Sequence, residues 1–316
     1  MTKQKKVLIV SSLFLLFVVS VSMVSYIAAY KTLHKEKQVL LKTPKDYGLS
    51  FENIVFNSRD GLSLKGWWIE GNSDKVVIVA HGYGANRAGW SGTDKDGESK
   101  YLDWLGVAPA MVNAGYSMLY FDFRASGESE GELITLCKLE AEDFIEALKW
   151  ELKNKGKKKV GFLGFSMGGN VVLRAGVELN RMIKDGEVES GAIITIGPYK
   201  YSTMIGKSIE YWTSLPKFFT PLINQSAKII LGFDPVDEIN PEKYINKIAP
   251  LPIQFIQSEK DEIGDVSDVK SMYEKYNGPK GITILPNAKR FVHYDYPKNN
   301  PKKIIKFFNN HLGTIR

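Results

Sequence analysis

Residues 160–169 read VGFLGFSMGG, a run typical of a buried strand that leads directly into a serine flanked by glycines. Gly164 lies two positions before Ser166, and Gly168 lies two positions after it. A nucleophilic serine on a sharp strand-to-helix turn adopts strained backbone angles, so these neighbours must lack bulk. The turn also places the next N–H group, that of Met167, at a helix amino terminus, where developing negative charge is stabilised. The stretch predicts a serine nucleophile; a chance serine in a glycine-rich turn is the alternative.

Similar apolar runs recur on both sides of this stretch and alternate with helical patterns. The strand-like runs are 75–80, 117–121, 159–163, 192–196, 253–256 and 282–285; helical patterns occur at about 101–114, 139–152, 169–179, 266–276 and 301–312. This alternation predicts an α/β fold with a mainly parallel sheet and helices on both faces. Two further runs, 51–58 and 62–69, are joined by Asp60-Gly61 and predict antiparallel strands at one edge.

The segment 201–249 breaks the alternation, because it has no strand pattern but is rich in aromatic residues. We expect a helical cap here. Its helices either pack for stability alone or form a lid that lines a substrate pocket. Loops that leave the carboxyl ends of parallel strands border the crevice of open α/β sheets. The candidate pocket residues are therefore Tyr211, Trp212, Phe218 and Phe219.

The amino-terminal segment is long, apolar and free of charge from residue 7 to residue 30. A span of about 20 residues crosses a membrane, whereas the apolar part of a cleaved signal peptide is ~7–15 residues long. The sequence therefore favours a transmembrane anchor over 7–30. It follows a short basic segment, 1–6, and precedes a lysine-rich linker, 31–48, and a domain, 49–316. The basic head favours a domain outside the cytoplasm, although basic residues on both sides nearly balance.

Charge and composition exclude several classes of function. The formal net charge is +7, of which Lys3, Lys5 and Lys6 supply +3, so the rest of the chain carries a dispersed +4. No nucleic-acid-binding motif accompanies it, and we expect no nucleic-acid partner. One cysteine and four histidines argue against a disulfide framework and against a metal centre. We expect neither metal nor cofactor.

A second glycine-containing turn, His81-Gly82-Tyr83-Gly84, follows the 75–80 strand. Glycines at such a turn let the backbone approach a ligand. The N–H group of Tyr83 is therefore predicted to be an oxyanion donor alongside the N–H group of Met167. His81 precedes the nucleophile in the chain, and a role in shaping the loop is more consistent with this position than a role as the base.

With these two turns and the DFRASGES stretch at 122–129, the sequence resembles the α/β-hydrolase family from about residue 50 to 312. The 122–129 stretch looks like that family's D-x-R-G-x-G-x-S turn, with Ala125 in place of the usual glycine, and the resemblance implies a structural role for it. The nearest look-alikes are esterase-, monoacylglycerol-lipase- and serine-aminopeptidase-like members, several of them tethered to membranes. The resemblance implies a serine hydrolase that acts on a small ester without a cofactor.

The family places its acid after a late strand and its histidine last in the chain. Residues 257–261, QSEKD, resemble the family's H-G-x-x-D, and Asp261 is the predicted acid. Gln257 and Ser258 depart from the pattern, which leaves Asp265 and Glu259 as alternatives. His293 is the only histidine in the loop after the 282–285 strand and is the predicted base.

Three functions remain open at this point. A membrane-tethered esterase would use Ser166, His293 and Asp261 in an acyl-enzyme mechanism. A serine peptidase on the same scaffold would need an acidic or polar pocket to grip a free amine. A non-catalytic binding protein would normally have lost one of these residues. The apolar character of 211–219 favours esters with an apolar acyl group. Since every proposed catalytic group follows residue 80, residues 1–44 are predicted to be dispensable for catalysis.

Overall fold

The computed structural model describes residues 2–213 and 215–313 and contains an eight-stranded, mainly parallel sheet. Ten strands lie in these residues: β1 Glu52–Asn57, β2 Ser63–Ile69, β3 Lys75–Ala80, β4 Gly89–Thr93, β5 Ser99–Asp103, β6 Ser117–Phe121, β7 Lys159–Phe165, β8 Ser190–Ile196, β9 Ile253–Lys260 and β10 Lys280–Lys289. The order in the large sheet is β1-β2-β6-β3-β7-β8-β9-β10. The β1–β2 and β2–β6 pairs are antiparallel and the remaining pairs are parallel, which confirms the predicted edge hairpin and fold class.

Helices cover both faces of the sheet, so the fold has three layers. They are α1 Lys3–Leu33, α2 Ala108–Asn113, α3 Lys138–Asn154, α4 Met167–Lys184, α5 Tyr201–Trp212, α6 Thr220–Leu231, α7 Pro235–Glu238, α8 Val266–Lys275, α9 Tyr296–Asn299 and α10 Pro301–Leu312. One apolar cluster joins the sheet to α3, α4 and α8, and a second joins it to α2 and α10. Strands β3 and β6 are buried along their whole length, which explains their unbroken apolar runs.

The helix predicted over 101–114 is wrong in its first half. Residues 99–103 form β5, which pairs with β4 in a separate antiparallel hairpin, and α2 begins only at Ala108. The hairpin turn is stabilised by Asp94, whose Oδ1 accepts the N–H groups of Asp96 at 3.0 Å and Glu98 at 2.9 Å. Gly97 supplies the left-handed conformation that the turn needs, with φ of +80°.

The predicted cap over 201–249 is helical, and it contacts the amino-terminal helix. Within the described residues it contains α5, α6, α7 and short 3₁₀ turns, with no strand. α6 packs against the last turns of α1, where Ser25, Ala29 and Leu33 are buried. α1 is the one helix among the described residues that is long and apolar enough to cross a membrane.

The linker predicted over 31–48 does not stand free of the domain. Lys37 donates from Nζ to the carbonyl oxygen of Ser129 at 2.6 Å, and the Gln38 amide donates to that of Ser91 at 2.6 Å. The Tyr47 hydroxyl donates to Asp103 at 2.6 Å. Its lysine-rich composition suggested a solvated stalk, but the segment's polar groups bond to the domain surface.

Candidate active site

Ser166 lies at the turn between β7 and α4 in a strained conformation. Its φ is +54° and its ψ is −115°, a region that residues other than glycine rarely occupy. The Ser166 N–H donates to the carbonyl oxygen of Ile196 on the neighbouring β8 at 2.8 Å, which fixes the turn against the sheet. The residue is half-buried, so the turn presents the side chain at the carboxyl edge of the sheet.

The two glycines of the turn are required by close backbone contacts. A Cβ atom on Gly164 would lie 2.2 Å from the carbonyl oxygen of Gly168. A Cβ atom on Gly168 would lie 2.2 Å from the carbonyl oxygen of Ala80. Since real carbon atoms do not approach so closely, β3, β7 and α4 can converge at Ser166 only when both positions are glycine.

The His81–Gly84 turn reaches the same place from β3. A Cβ atom on Gly82 would lie 3.5 Å from the Cβ atom of Ser166, so the turn passes directly beside the serine. Met167 is the first residue of α4, and its N–H group therefore has no acceptor within the helix. The His81–Gly84 turn and the first residue of α4 therefore both lie beside Ser166.

His81 is held by hydrogen bonds at both ring nitrogens. Its Nδ1 lies 2.8 Å from the carbonyl oxygen of Gly82, and its Nε2 accepts the N–H of Phe123 at 3.0 Å. Burial lowers the pKa of His81 to about 4, so the ring is neutral at physiological pH. The geometry fits the predicted role in shaping the loop.

The carboxylate of Asp261 is buried and held by several donors. Its Oδ1 accepts the N–H groups of Ile263 at 2.9 Å and Gly264 at 3.0 Å. Arg290 donates from its guanidinium group to the same oxygen at 3.1 Å. Burial raises the pKa of Asp261, but the charge of Arg290 and the two N–H groups outweigh this effect and lower the pKa. The group is therefore a stable carboxylate.

His293 lies in a 3₁₀ helix, Arg290–Asp295, and is completely buried beside Asp261. Its Nε2 atom is 3.8 Å from Asp261 Oδ2, too far for a hydrogen bond, and neither ring nitrogen has a hydrogen-bond partner among the described residues. Burial lowers the pKa of His293 to about 3, with Asp261 acting in the opposite direction and Arg290 in the same direction. The structure thus places the predicted acid and base together, with the imidazole neutral.

Two residues of the histidine loop that the sequence did not single out also belong to the site. Arg290 forms an ion pair with Asp261, the carboxylate to which a catalytic histidine would donate a hydrogen bond. Burial raises the pKa of Tyr294, and its buried hydroxyl group has no hydrogen-bond partner among the described residues. A Cβ atom on Gly197 would lie 2.7 Å from His293 Nε2 and 3.2 Å from the Tyr294 hydroxyl, which shows how tightly the loop fits against the end of β8.

The alternative acids are engaged elsewhere. Asp265 caps α8 by accepting the N–H of Ser267 at 2.9 Å, and it pairs with Lys207 at 2.6 Å. Glu259 is exposed and accepts the N–H of Asn287 at 2.7 Å. Neither carboxylate forms an ion pair with His293 among the described residues, so the geometry favours Asp261.

The four aromatic residues predicted to line the pocket occupy different environments. Trp212 and Phe218 are 47% and 58% exposed, whereas Phe219 is buried in the cap. The Tyr211 hydroxyl accepts the N–H of Lys95 at 3.4 Å, which joins the end of α5 to the β4–β5 hairpin.

An aromatic cluster instead connects the cap to the histidine loop. The Trp212 ring centroid lies 6.3 Å from that of Trp90, which stacks on Phe291 at 5.4 Å. Phe291 lies two residues before His293. The cap and the β4–β5 hairpin therefore meet over the loop that carries the predicted base. No group of three or more His, Cys, Asp or Glu side chains suited to a metal lies in the described part of the chain.

Comparison with known proteins points to one family. Residues 75–184 match the family model for the alpha/beta hydrolase fold. The uncharacterized protein YqkD of Bacillus subtilis is 24% identical over 84% of this chain and 82% of its own length. A shorter match, 29% identical over 36% of this chain and 35% of the relative, is to a 2-hydroxy-6-oxononadienedioate/2-hydroxy-6-oxononatrienedioate hydrolase of Pseudomonas.

A solved structure covers more of the chain. The Pyrococcus furiosus esterase Pf2001 superposes with a TM-score of 0.69 and is 26% identical, covering 90% of this chain and 100% of the esterase.

Proposed function

We propose that this chain, which belongs to the α/β-hydrolase family, is a serine hydrolase that cleaves carboxylic esters through an acyl-enzyme. The observation that carries the proposal is the strained conformation of Ser166, which has a φ of +54°. Ser166 lies beside the His81–Gly84 turn and directly before α4. Strain of this kind persists where the surrounding structure enforces it, as in nucleophile turns. The buried Asp261–His293 pair and the esterase of similar structure support the same assignment.

The proposed reaction follows from these positions. Ser166 Oγ attacks the ester carbonyl carbon while His293 takes its proton, and the N–H groups of Tyr83 and Met167 hold the oxyanion. The protonated His293 then gives the proton to the departing alkoxide, and an alcohol leaves. In the second half of the reaction, His293 takes a proton from a water molecule that attacks the acyl carbon. The protonated His293 then returns the proton to Ser166 Oγ, and the carboxylic acid leaves. Asp261 stabilises the imidazolium that forms in each half of the reaction.

The proposed reaction requires a rearrangement of the Asp261–His293 pair. Asp261 is bound by Arg290, and the Asp261–His293 contact of 3.8 Å must shorten before the pair can act as a base. Catalytic hydrogen bonds are often long without substrate and tighten in the complex. The aromatic contact between the cap and Phe291 gives a bound substrate a route to move the histidine loop.

A panel of esters and aminopeptidase substrates tests the proposal. We expect hydrolysis of p-nitrophenyl esters and none of aminoacyl p-nitroanilides. We also expect kcat/KM to increase about tenfold for each two carbons from acetyl to hexanoyl, because each buried methylene contributes about 0.8 kcal/mol. Trp212→Ala should flatten this profile if the cap aromatics contact the acyl chain.

A purified protein that hydrolyses only the anilides would be a peptidase. One that hydrolyses neither class would be a binding protein with this fold. A steep chain-length profile unchanged in Trp212→Ala would place the acyl pocket away from the cap.

The pH dependence should differ from that of an exposed histidine. Only neutral imidazole accepts the serine proton, and an exposed histidine titrates near ~6.5. Burial lowers the pKa of His293 to about 3, so we expect kcat/KM at pH 5 to equal that at pH 8. The measurement is kcat/KM across this range, with the folded fraction recorded at each pH.

That control is needed because buried neutral histidines bind fewer protons in the folded state than in the unfolded state. Stability therefore falls as the pH drops below about 6.5. An activity that halves near pH 6.5 in fully folded protein would contradict a buried, neutral His293 as the base.

We also propose that α1 anchors the domain to a membrane, with the catalytic domain outside the cytoplasm. α1 is uncharged over 7–30 and exposes its apolar side chains along most of that length. The basic residues at its amino end favour a cytoplasmic location for that end. Release of the protein from membranes by detergent but not by carbonate, and its digestion by protease added to intact cells, would support both statements.

A further inference from the structure

The carboxyl end of α1 touches the loop that supplies the first proposed oxyanion donor. The hydroxyl group of Tyr83 donates to the carbonyl oxygen of Thr32 at 2.6 Å. The side-chain amide of Asn86 donates to the carbonyl oxygens of Gln38 at 3.1 Å and Val39 at 3.0 Å. The loop that follows β3 is therefore bound, from Tyr83 to Asn86, to the last turn of α1 and to the segment after it.

The helix end is itself a fixed point. The last four carbonyl groups of a helix lack hydrogen-bond donors within the helix. At the end of α1 the domain supplies donors to two of these carbonyl groups. Thr32 accepts from Tyr83, and the Leu33 carbonyl oxygen accepts the N–H of Ile134 at 2.8 Å. One and two turns before Leu33, Ala29 and Ser25 are buried where α1 packs against α6, and such small residues allow two helices to approach closely. The end of α1 is thus fastened to both the cap and the core.

The loop needs such support because its own backbone is permissive. Gly82 and Gly84 flank Tyr83, and Gly84 has a φ of +62°. His81 fixes the start of the loop through its two ring nitrogens. Tyr83 lies in the middle of the loop. Among the described residues, its side chain forms one hydrogen bond, to the carbonyl oxygen of Thr32.

We propose that the carboxyl end of α1 is a positioning element of the active site. The bond from the Tyr83 hydroxyl to the Thr32 carbonyl oxygen sets the position of the Tyr83 N–H group beside Ser166. The inference rests on the proposed function, since it assigns that N–H group to the oxyanion. An oxyanion donor must be held close to its productive position, and a 1 Å displacement costs about 100-fold in rate. The expectation that residues 1–44 are dispensable for catalysis is therefore replaced, because Thr32 lies within them.

Full-length protein in detergent micelles carrying Tyr83→Phe tests the inference. The substitution keeps the ring and the backbone N–H group and removes only the hydroxyl. We expect kcat for a short ester to fall about tenfold with KM unchanged, because the donor acts on the transition state. We also expect amide hydrogen exchange in residues 81–88 to accelerate at least fivefold.

Tyr47→Phe is the matched control, because the Tyr47 hydroxyl also joins the linker to the domain, through Asp103 at 2.6 Å, but away from this loop. Its kcat and its exchange in 81–88 should stay within twofold of the wild-type values. Unchanged exchange in Tyr83→Phe, or equal effects in both variants, would overturn the inference. If the wild-type protein hydrolyses no ester, the proposed function fails. The exchange measurement still decides whether α1 positions the loop.

Discussion

Ser166→Ala should abolish labelling by a fluorophosphonate probe and lower kcat for ester hydrolysis by about 10⁴-fold or more. Removal of the nucleophile from a triad leaves only the contributions of the oxyanion hole and of substrate binding. The fold should survive, because alanine adopts the Ser166 φ of +54° at about the same cost as serine. The measurements are single-turnover kinetics, labelling followed by mass spectrometry, and thermal unfolding.

Ser190→Ala is a matched control for this experiment. Ser190 begins the neighbouring strand β8, at the opposite end of the sheet from Ser166, and its hydroxyl group has no hydrogen-bond partner among the described residues. Its labelling and kcat should equal those of the wild type. Labelling that persists in Ser166→Ala and maps to another serine would remove Ser166 from the mechanism.

The sequence predicted the parallel sheet and the serine turn because both depend on short-range patterns. Continuous apolar runs mark strands buried on two faces, and the glycines at 164 and 168 are dictated by contacts of 2.2 Å within the turn. The β4–β5 hairpin was missed because residues 101–103 were included in the helical pattern that continues into α2, and residues 89–100 contain too few apolar side chains to predict a strand. Its turn depends on the hydrogen bonds of a single aspartate, Asp94.

The long-range contacts could not be read from the sequence. The residues around Thr32 do not indicate that its carbonyl group accepts a hydrogen bond from Tyr83, 51 positions later. The same holds for Arg290, which is the ion-pair partner of Asp261. Such contacts depend on how the loops cross over the sheet, and the local pattern of residue types does not determine those paths.

Asp261→Asn should lower kcat by about 10³- to 10⁴-fold with little change in KM. Asparagine has the shape of aspartate but carries no charge to stabilise the His293 imidazolium. The same substitution leaves Arg290, whose side chain is 13% exposed, without a carboxylate, and an uncompensated buried charge costs about 3–5 kcal/mol of stability. The single variant therefore confounds the loss of catalysis with the loss of fold.

A second substitution separates the two effects. In Asp261→Asn/Arg290→Gln both charges are gone, so stability should recover while kcat remains low. Asp265→Asn and Glu259→Gln test the alternative acids, and asparagine keeps the α8 cap that Asp265 provides. We expect kcat within threefold of wild type for both, because their carboxylates are engaged away from His293. A loss confined to Asp265→Asn would transfer the role of the acid to Asp265. A double variant that regains full activity would show that Asp261 serves only to neutralise Arg290.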